Sequence, residues 1–358
     1  MPLEDTNPAL YVDENANFSV HRQQNIPILS DGELLIETQF SGTNPADIKH
    51  ATHLGIYPAV LGYDFCGTVL KAPANSAFQH GDLVAGYTPT GLNRPFKYGA
   101  HQQYLVCPED MAFSVPAGLP PQHAAALTVV CMTAADVVYN IFNLPLPQEE
   151  KKHQGKSPKS LLIWGASSSV GLCAVQLAHA SGIHPILVTA SPERHSLLQE
   201  LGATRCFDYK SPSVISEIKA TVEDSQWGPI MCGFDAVGSQ RGGVSSAKQM
   251  AECCSADATL VSVVVQPDLR FKMPIATPNK DVVIKVPDVP YPITIPARPA
   301  DYQRAWSALL WAVDHYGVQF RLPSVNVVEG TAEEALEELK AIADGGRFGK
   351  VVLKHPLR

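Results

Sequence analysis

The residues best placed to do chemistry stand together at 161–171, Leu-Leu-Ile-Trp-Gly-Ala-Ser-Ser-Ser-Val-Gly. An apolar run from Leu161 to Trp164 enters a turn of very small residues, and a helical pattern opens at Val170-Gly171-Leu172. A strand, a small-residue turn and a helix N-terminus make a pyrophosphate site, because backbone amides point outward and the helix dipole favours an anion. Ser167, Ser168, Ser169 and Val170 are the expected contacts. Of the six positions Ala166–Gly171 where G-x-G-x-x-G would fall, only the last glycine remains. Two hydrolytic readings of the serines fail. A nucleophile elbow G-x-S-x-G would need glycine at Ser169, and a P-loop would need a lysine that Val170-Gly171-Leu172 does not supply.

The end of the next strand reads out the nucleotide. An NAD site usually places Asp or Glu there to accept from the ribose 2′-OH. This chain has Thr189-Ala190-Ser191, then Arg194, and Tyr209-Lys210 closes the following strand. A hydroxyl and a guanidinium suit a 2′-phosphate, since arginine grips phosphate through a planar fork of donors. The alternative makes Arg194 an ordinary solvated helix residue, and Glu193 weighs on that side. NADPH is the expected cofactor, held in part by Ser191, Arg194 and Tyr209.

These residues need a scaffold of alternating elements, and the pattern supplies one. A helix with small Ala174 and Ala178 ends near Ser181-Gly182, and a strand covers Ile186–Ala190. Then come a helix over Pro192–Leu201, a strand at Arg205–Tyr209, a helix over Val214–Val222, and strands at Phe234–Val237 and Thr259–Val265. Strands alternating with helices and apolar on both faces predict a parallel doubly wound sheet. The first 125 residues differ, with short alternating strands such as Leu34–Phe40 and Thr68–Lys71 broken by Gly and Pro turns. They predict a compact β-rich domain.

At 358 residues the chain has room for two cored domains. A net charge of −8 argues against nucleic acid or an anionic membrane as the main partner. No run reads as long and apolar enough to span a bilayer, and the polar, acidic start has no signal-peptide core. The eight cysteines are scattered without zinc or redox spacing, which with the preceding points predicts a cytoplasmic protein.

An ordered set of motifs then carries a resemblance. It runs Asn44-Pro45-Ala46-Asp47-Ile48-Lys49, Pro58–Val69 around Gly62-Tyr63-Asp64, Gly81–Gly86, Tyr98-Gly99-Ala100, Ala124–Leu127 and Gly345–Val352. Together these resemble the medium-chain dehydrogenase/reductase superfamily over almost the whole chain. The resemblance implies an α/β fold with a Rossmann NADP-binding domain over 126–299. It also implies a GroES-like catalytic domain built from 1–125 and 300–358, with the active-site cleft at their junction. Zinc members carry a cysteine near Thr43-Asn44 and Gly-His-Glu where this chain has Gly62-Tyr63-Asp64, and the stretch Tyr87–Ala100 has no cysteine, so no metal is expected. The segment Asn143–Pro147 before a polar insertion Gln148–Lys159, the Ser-rich turn and the strand end Thr-Ala-Ser-Pro resemble the trans-acting enoyl reductases of fungal polyketide synthases.

By that resemblance, Pro45, Ala46, Asp47, Ile48 and Lys49 approach the cofactor, as do Val263, Val264 and Phe348. Lys49 would contact a ribose or orient substrate, its alternative being a surface lysine after a turn. Thr133 would stand near the nicotinamide, or else cap the long helix. Tyr63, in the zinc-ligand position, is the candidate oxyanion or proton donor, with simple packing as its alternative. His101 and His123 read as structural. Gln266–Pro299 holds eight prolines around an alternating run Asp281–Val286. The resemblance makes this zone late sheet strands and part of the substrate wall, and the prolines put dimer-forming edge pairing in doubt. A monomer or homodimer is expected, acting on a small-molecule or carrier-bound acyl substrate with a polyketide synthase as partner. A stand-alone quinone or enone reductase is the second reading. A redox-silent cofactor-binding protein is the third, kept open by the missing glycines.

Overall fold

The computed structural model describes residues 7–147, 160–240, 243–276, 279–287 and 289–358. The insertion Gln148–Lys159 lies outside them. Two compact units emerge, one formed by 1–129, 278–299 and 322–358, the other by 130–277 and 300–321. The expected division at 125 and 299 is drawn differently: the proline-rich 278–299 groups with the first unit and 300–321 with the second.

The first unit is β-rich. Strands β1 (Asn7–Val12), β2 (Phe18–Gln24) and β4 (Ala59–Val60) form a three-stranded sheet in the order β2-β1-β4. A second sheet centres on β3 (Glu33–Gly42) and β5 (Asp64–Lys71), followed by β6 (Leu83–Tyr87) and β8 (Ala112–Ser114). Its other flank is β18 (Lys350–Lys354) and β17 (Val325–Val328), while β7 (Tyr104–Pro108) pairs with the first half of β3. Helix α1 (Ala46–Leu54) ends in the left-handed Gly55. Helix α8 (Ala332–Asp344) starts at a capping box in which the Thr331 side chain accepts from the Glu334 amide and Glu334 reaches back. Ala51 of α1 and Leu336 and Leu339 of α8 join Leu10, Val12, Leu61 and Leu353 in one buried cluster. Both helices therefore lie on the sheets by the apolar faces their sequences supply.

The second unit holds six parallel strands in the order β11-β10-β9-β12-β13-β14. These are β9 (Ser160–Trp164), β10 (Ile186–Ala190), β11 (Arg205–Asp208), β12 (Ile230–Asp235), β13 (Thr259–Ser262) and β14 (Phe271–Lys272). Chain order reverses between β9 and β12, so the ligand crevice of such a sheet falls at their C-terminal ends. The doubly wound expectation holds. Helix α3 (Ser169–Ala180) buries Ala174 and Ala178 completely, which lets it approach the sheet closely. The helix expected over Pro192–Leu201 is a 3-10 turn, Pro192–Arg194, followed by α4 (His195–Glu200). Between α5 (Val214–Glu223) and β13 lies α6 (Ser246–Cys253), a helix the pattern reading passed over.

Two further expectations are corrected. Helix α2 (Pro121–Ala135) continues as a π-helical turn Asp136–Ile141, and this 21-residue stretch is long and apolar enough to cross a membrane. Its most apolar window is 78% buried within the protein, however, as suits a core helix. Among the described residues of the proline-rich zone only β14 extends the parallel sheet. Strands β15 (Val282–Ile284) and β16 (Ile293–Ile295) form their own antiparallel ladder, which belongs to the first unit. There Val283 O accepts from the Leu92 amide at 2.8 Å and the Lys285 amide donates to Leu54 O at 2.9 Å.

Candidate active site

At the switch point of the parallel sheet the turn expected to take phosphate is built almost wholly from backbone. Gly165 sits at φ +77°, and its amide donates to both the carbonyl and the hydroxyl of Thr189, at 3.1 and 3.0 Å. The Thr189 hydroxyl is thus committed to the turn, leaving Ser191 as the hydroxyl at the strand end. Ser168 caps α3: its Oγ accepts from the Gly171 amide at 3.1 Å and donates to Ala236 O at 3.0 Å. Ser169 and Val170 are the first helical residues, whose amides have no intrahelical acceptor and so suit an anion. A Cβ on Gly171 would lie 2.8 Å from Ala166 Cα and from Gly165 O, so this one fingerprint glycine is sterically required.

The rim is fixed by Asp235. Its buried carboxylate accepts from Ser262 Oγ at 2.9 Å and from the Gly238 and Val237 amides at 3.2 and 3.3 Å. Burial pushes this carboxyl above the usual range against those bonds. The Val263 amide donates to Asp235 O at 3.1 Å, and Val264 fills the space where a Cβ on Gly238 would fall. Val263 and Val264 therefore stand at the same strand ends as the phosphate turn. Ser191 and Tyr209 each follow one member of the paired residues Ala190 and Asp208, so they are neighbours across β10 and β11. Ser191 and Arg194 are half-buried, and Tyr209 is 38% exposed with the Lys210 ammonium 5.6 Å from its ring centroid. Thr133 is an interior residue of α2, two residues before its end, which removes the capping alternative. The π turn that follows uses Asp136 to accept from the Ile275 amide at 3.0 Å. π turns inside helices frequently mark functional sites.

In the first unit the segment 45–49 divides. Pro45 and Lys49 are exposed and Ala46 half-buried, whereas Asp47 is buried and Ile48 packs on the core. Asp47 Oδ2 accepts from the Asn44 amide at 2.7 Å and pairs with His101 Nε2 at 3.0 Å. His101 Nδ1 meets Ser41 Oγ at 2.8 Å, and Ser41 Oγ meets His355 Nε2 at 2.8 Å. His101 is thus a buried structural histidine that fixes the start of α1. Phe348, half-buried, precedes β18.

The metal-ligand positions hold a different chemistry. Asp64 is fully buried and accepts from Asn44 Nδ2 at 2.9 Å and from the Val129 amide at 2.7 Å, with the Lys350 ammonium 3.6 Å away. Lys350 Nζ also donates to Thr43 O at 2.7 Å and Asn44 Oδ1 at 2.5 Å. Burial pushes the Asp64 carboxyl up and Lys350 pulls it back. Tyr63 is buried, with its hydroxyl 2.8 Å from His50 Nδ1 and accepting from Thr90 Oγ1 at 3.3 Å. The Arg94 guanidinium lies over its ring at 4.3 Å. An ammonium already occupies the oxygen donors and a phenol replaces the imidazole, so these residues do not fit Zn²⁺. Among the described residues no three His, Cys, Asp or Glu side chains cluster as a metal site. His50, Arg94 and Lys350 escaped the sequence reading. Only His50, adjacent to Lys49 on α1, carried a usable signal.

Two buried imidazoles give a pH expectation. Burial depresses His50 to about 4 and, with His101 nearby, His355 to about 3, against 6.5 unfolded. The unfolded chain therefore binds protons that the folded chain refuses, so their stability is full above pH 6.5 and falls through pH 4 and 3. With two protons the slope approaches about 2.7 kcal/mol per pH unit. The raised carboxyls of Asp64 and Asp235 work in the opposite sense at the acid end. Thermal melts should lose stability steadily from about pH 6.5 downward, and His355→Phe should flatten that profile. A parent melt unchanged between about pH 7 and pH 5 would contradict the assignment.

A doubly wound parallel sheet with a small-residue turn at its switch point, carried in one chain with a β-rich unit, is the architecture of a two-unit nucleotide-binding oxidoreductase. The comparisons agree. A family model described as "Zinc-binding dehydrogenase" matches residues 169–308, and one described as "Alcohol dehydrogenase GroES-like domain" matches residues 30–117. The chain is 33% identical over 199 residues to the trans-enoyl reductase himH of Aspergillus japonicus, covering 54% of this chain and 57% of that protein. It is 37% identical over 166 residues to the dehydrogenase azaJ of Aspergillus niger, covering 46% and 47%. These matches span about half the length of the curated relatives. Among solved structures, the CurK enoyl reductase superposes with a TM-score of 0.70 at 17% identity, covering 98% of this chain and 100% of that one. The quinone oxidoreductase from Coxiella burnetii superposes with a TM-score of 0.68 at 19% identity, over 98% and 100%. Both are likenesses of fold. The chain belongs to the medium-chain dehydrogenase/reductase superfamily.

Proposed function

We propose that the protein is a zinc-free, NADPH-dependent reductase of a C=C bond conjugated to a thioester carbonyl, with a polyketide intermediate on its synthase as substrate. The observation that carries this reading is the content of the metal positions: Tyr63 held by His50 and Thr90, and Asp64 neutralised by Lys350. Hydride addition to an enoyl β-carbon builds charge on the thioester oxygen and then needs a proton at the α-carbon. Hydrogen-bond donors serve both needs. The trans-enoyl reductase names of relatives such as himH support the same choice.

NADPH would supply the hydride. The amides of Ser167–Val170 would take its pyrophosphate, Ser191, Arg194 and Tyr209 its 2′-phosphate, and Val263 and Val264 would line the strand ends beside it. Pro45, Ala46 and Lys49 present the accessible part of their segment, with Asp47 and Ile48 anchoring it from inside, and Phe348 completes the set. Lys49 would orient substrate or ribose, Thr133 would face the nicotinamide, and Tyr63 would give the proton.

The test is NADPH consumption with an α,β-unsaturated acyl-pantetheine thioester, run in parallel with a simple quinone. Turnover on the thioester alone is expected. Turnover on the quinone alone would replace this reading with the stand-alone reductase, and NADPH binding without either turnover would replace it with a redox-silent protein.

A further inference from the structure

Whether the Tyr63 proton is committed turns on which nitrogen of His50 carries the hydrogen. A phenol oxygen accepts up to two hydrogen bonds and donates one. Thr90 Oγ1 already donates to it at 3.3 Å, and His50 Nδ1 lies 2.8 Å away. If His50 carries its proton on Nδ1, both acceptor places are filled and the phenol hydrogen is free to leave. The Arg94 guanidinium over the ring, 4.3 Å from the centroid, steadies the negative charge that departure creates. Arg94 does not itself refill the oxygen, because a guanidinium keeps its protons; its Nη1 and Nη2 are bound to Val60 O, Gly62 O, Thr88 Oγ1 and Tyr98 O, and its buried Nε has no acceptor among the described residues. His50 can. His50 is half-buried as a residue and Tyr63 is buried, so the proton that reaches the phenol would come by way of the imidazole.

We infer that His50 is the positioning residue that returns a proton to Tyr63 after the phenol has given its own to the substrate, a role that rests on the enoyl-reductase reading above. The step balances as follows. The phenol O–H breaks as a C–H bond forms at the substrate α-carbon, whose enolate supplies the electron pair. The Nδ1–H of His50 then moves to the phenolate oxygen while a solvent proton binds Nε2. Exchange with water restores the starting tautomer, so one proton passes from solvent to product and no oxidant or reductant is consumed beyond the hydride. Burial, which holds the imidazole at about 4, keeps it neutral between turnovers.

The first measurement is the tautomer, by nitrogen NMR of the full chain labelled at histidine. A neutral His50 with its proton on Nδ1, whose signal moves in Tyr63→Phe, is expected. A proton on Nε2 would overturn the relay, because the phenol would then be donating to His50. Kinetics supply the second measurement. Tyr63→Phe should lower kcat about 10²-fold. His50→Ala should lower kcat about 10-fold with substrate KM and NADPH Kd unchanged, and added imidazole should restore it, which a packing role would not allow. His50→Gln, which keeps a donor to the phenol but cannot pass a proton, covers the case where alanine fails to fold, and should be equally slow. Parental kcat in both His50 variants overturns the relay while leaving Tyr63 as donor. Parental kcat in Tyr63→Phe overturns donor and relay together. A parent chain inert towards the thioester overturns the enoyl-reductase reading itself, and the relay with it.

Discussion

Arg94→Met should be among the most destabilising single substitutions in the first unit, lowering its stability by about 3–5 kcal/mol through the acceptors it leaves unpaired. Arg94 is 5% exposed, and its guanidinium donates to several groups at the centre of a loop crossing. It binds Val60 O at 3.2 Å, Gly62 O at 2.7 Å and Thr88 Oγ1 at 2.7 Å, bonds Tyr98 O as well, and packs on Tyr63. Methionine fills the volume but removes the Arg94 donor from Val60 O, Thr88 Oγ1 and Tyr98 O, at roughly 1–3 kcal/mol for each acceptor left unpaired, while Gly62 O keeps the Ala100 amide. Burial depresses the pKa of this arginine, so its charge is held at a desolvation cost that the hydrogen bonds offset. Arg94→Lys should rescue little, since a point charge cannot reach a planar fork's acceptors. Calorimetry should show a fall of about 10 °C in the transition of that unit. A shift smaller than about 2 °C would mean that the crossing is held by packing alone.

The second large effect concerns nucleotide choice. Arg194→Ala should weaken NADPH binding by about 10- to 150-fold while leaving NADH nearly unchanged, from the loss of one charge-assisted bond of roughly 1.5–3 kcal/mol. Adding Ser191→Asp places a carboxylate at the end of β10, where it repels a 2′-phosphate and accepts from a 2′-OH. The double variant should therefore shift the NADPH-to-NADH preference by about 10³-fold. Binding of both cofactors, followed by quenching of protein fluorescence, reads this directly. An unchanged ratio in Arg194→Ala would make Arg194 a bystander and return the choice to Tyr209 and Lys210, which share the same rim.

The second unit was legible because its signals are local. β10 falls where the apolar run Ile186–Ala190 places it, and α3 begins one residue after its serine cap, as the small-residue turn requires. The helix α6 was missed because Ser246–Cys253 is short and polar on its exposed side, with only Ala247, Met250 and Cys253 as buried apolar positions. The late strands were misplaced for a different reason. Val282–Ile284 has a strand's composition, but composition does not say which sheet it joins, and tertiary bonds to Leu54 and Leu92 decide that. The candidate site divides along the same line. Phosphate-turn residues follow one another in the chain, whereas Asn44 finds Lys350 across 306 residues and Asp47 finds His101 across 54. No spacing rule reaches pairs so distant. Tyr63 was visible as a substitution at a motif position, but its partners Thr90 and Arg94 sit in a loop with no pattern of their own.

The most direct test of the central claim follows the hydride. NADPH deuterated at the transferring carbon is incubated in ordinary water with the enoyl thioester, and the product is analysed by NMR. One deuterium at the β-carbon and a solvent hydrogen at the α-carbon is the predicted outcome. Unchanged thioester, or product with no deuterium at the β-carbon, would contradict it.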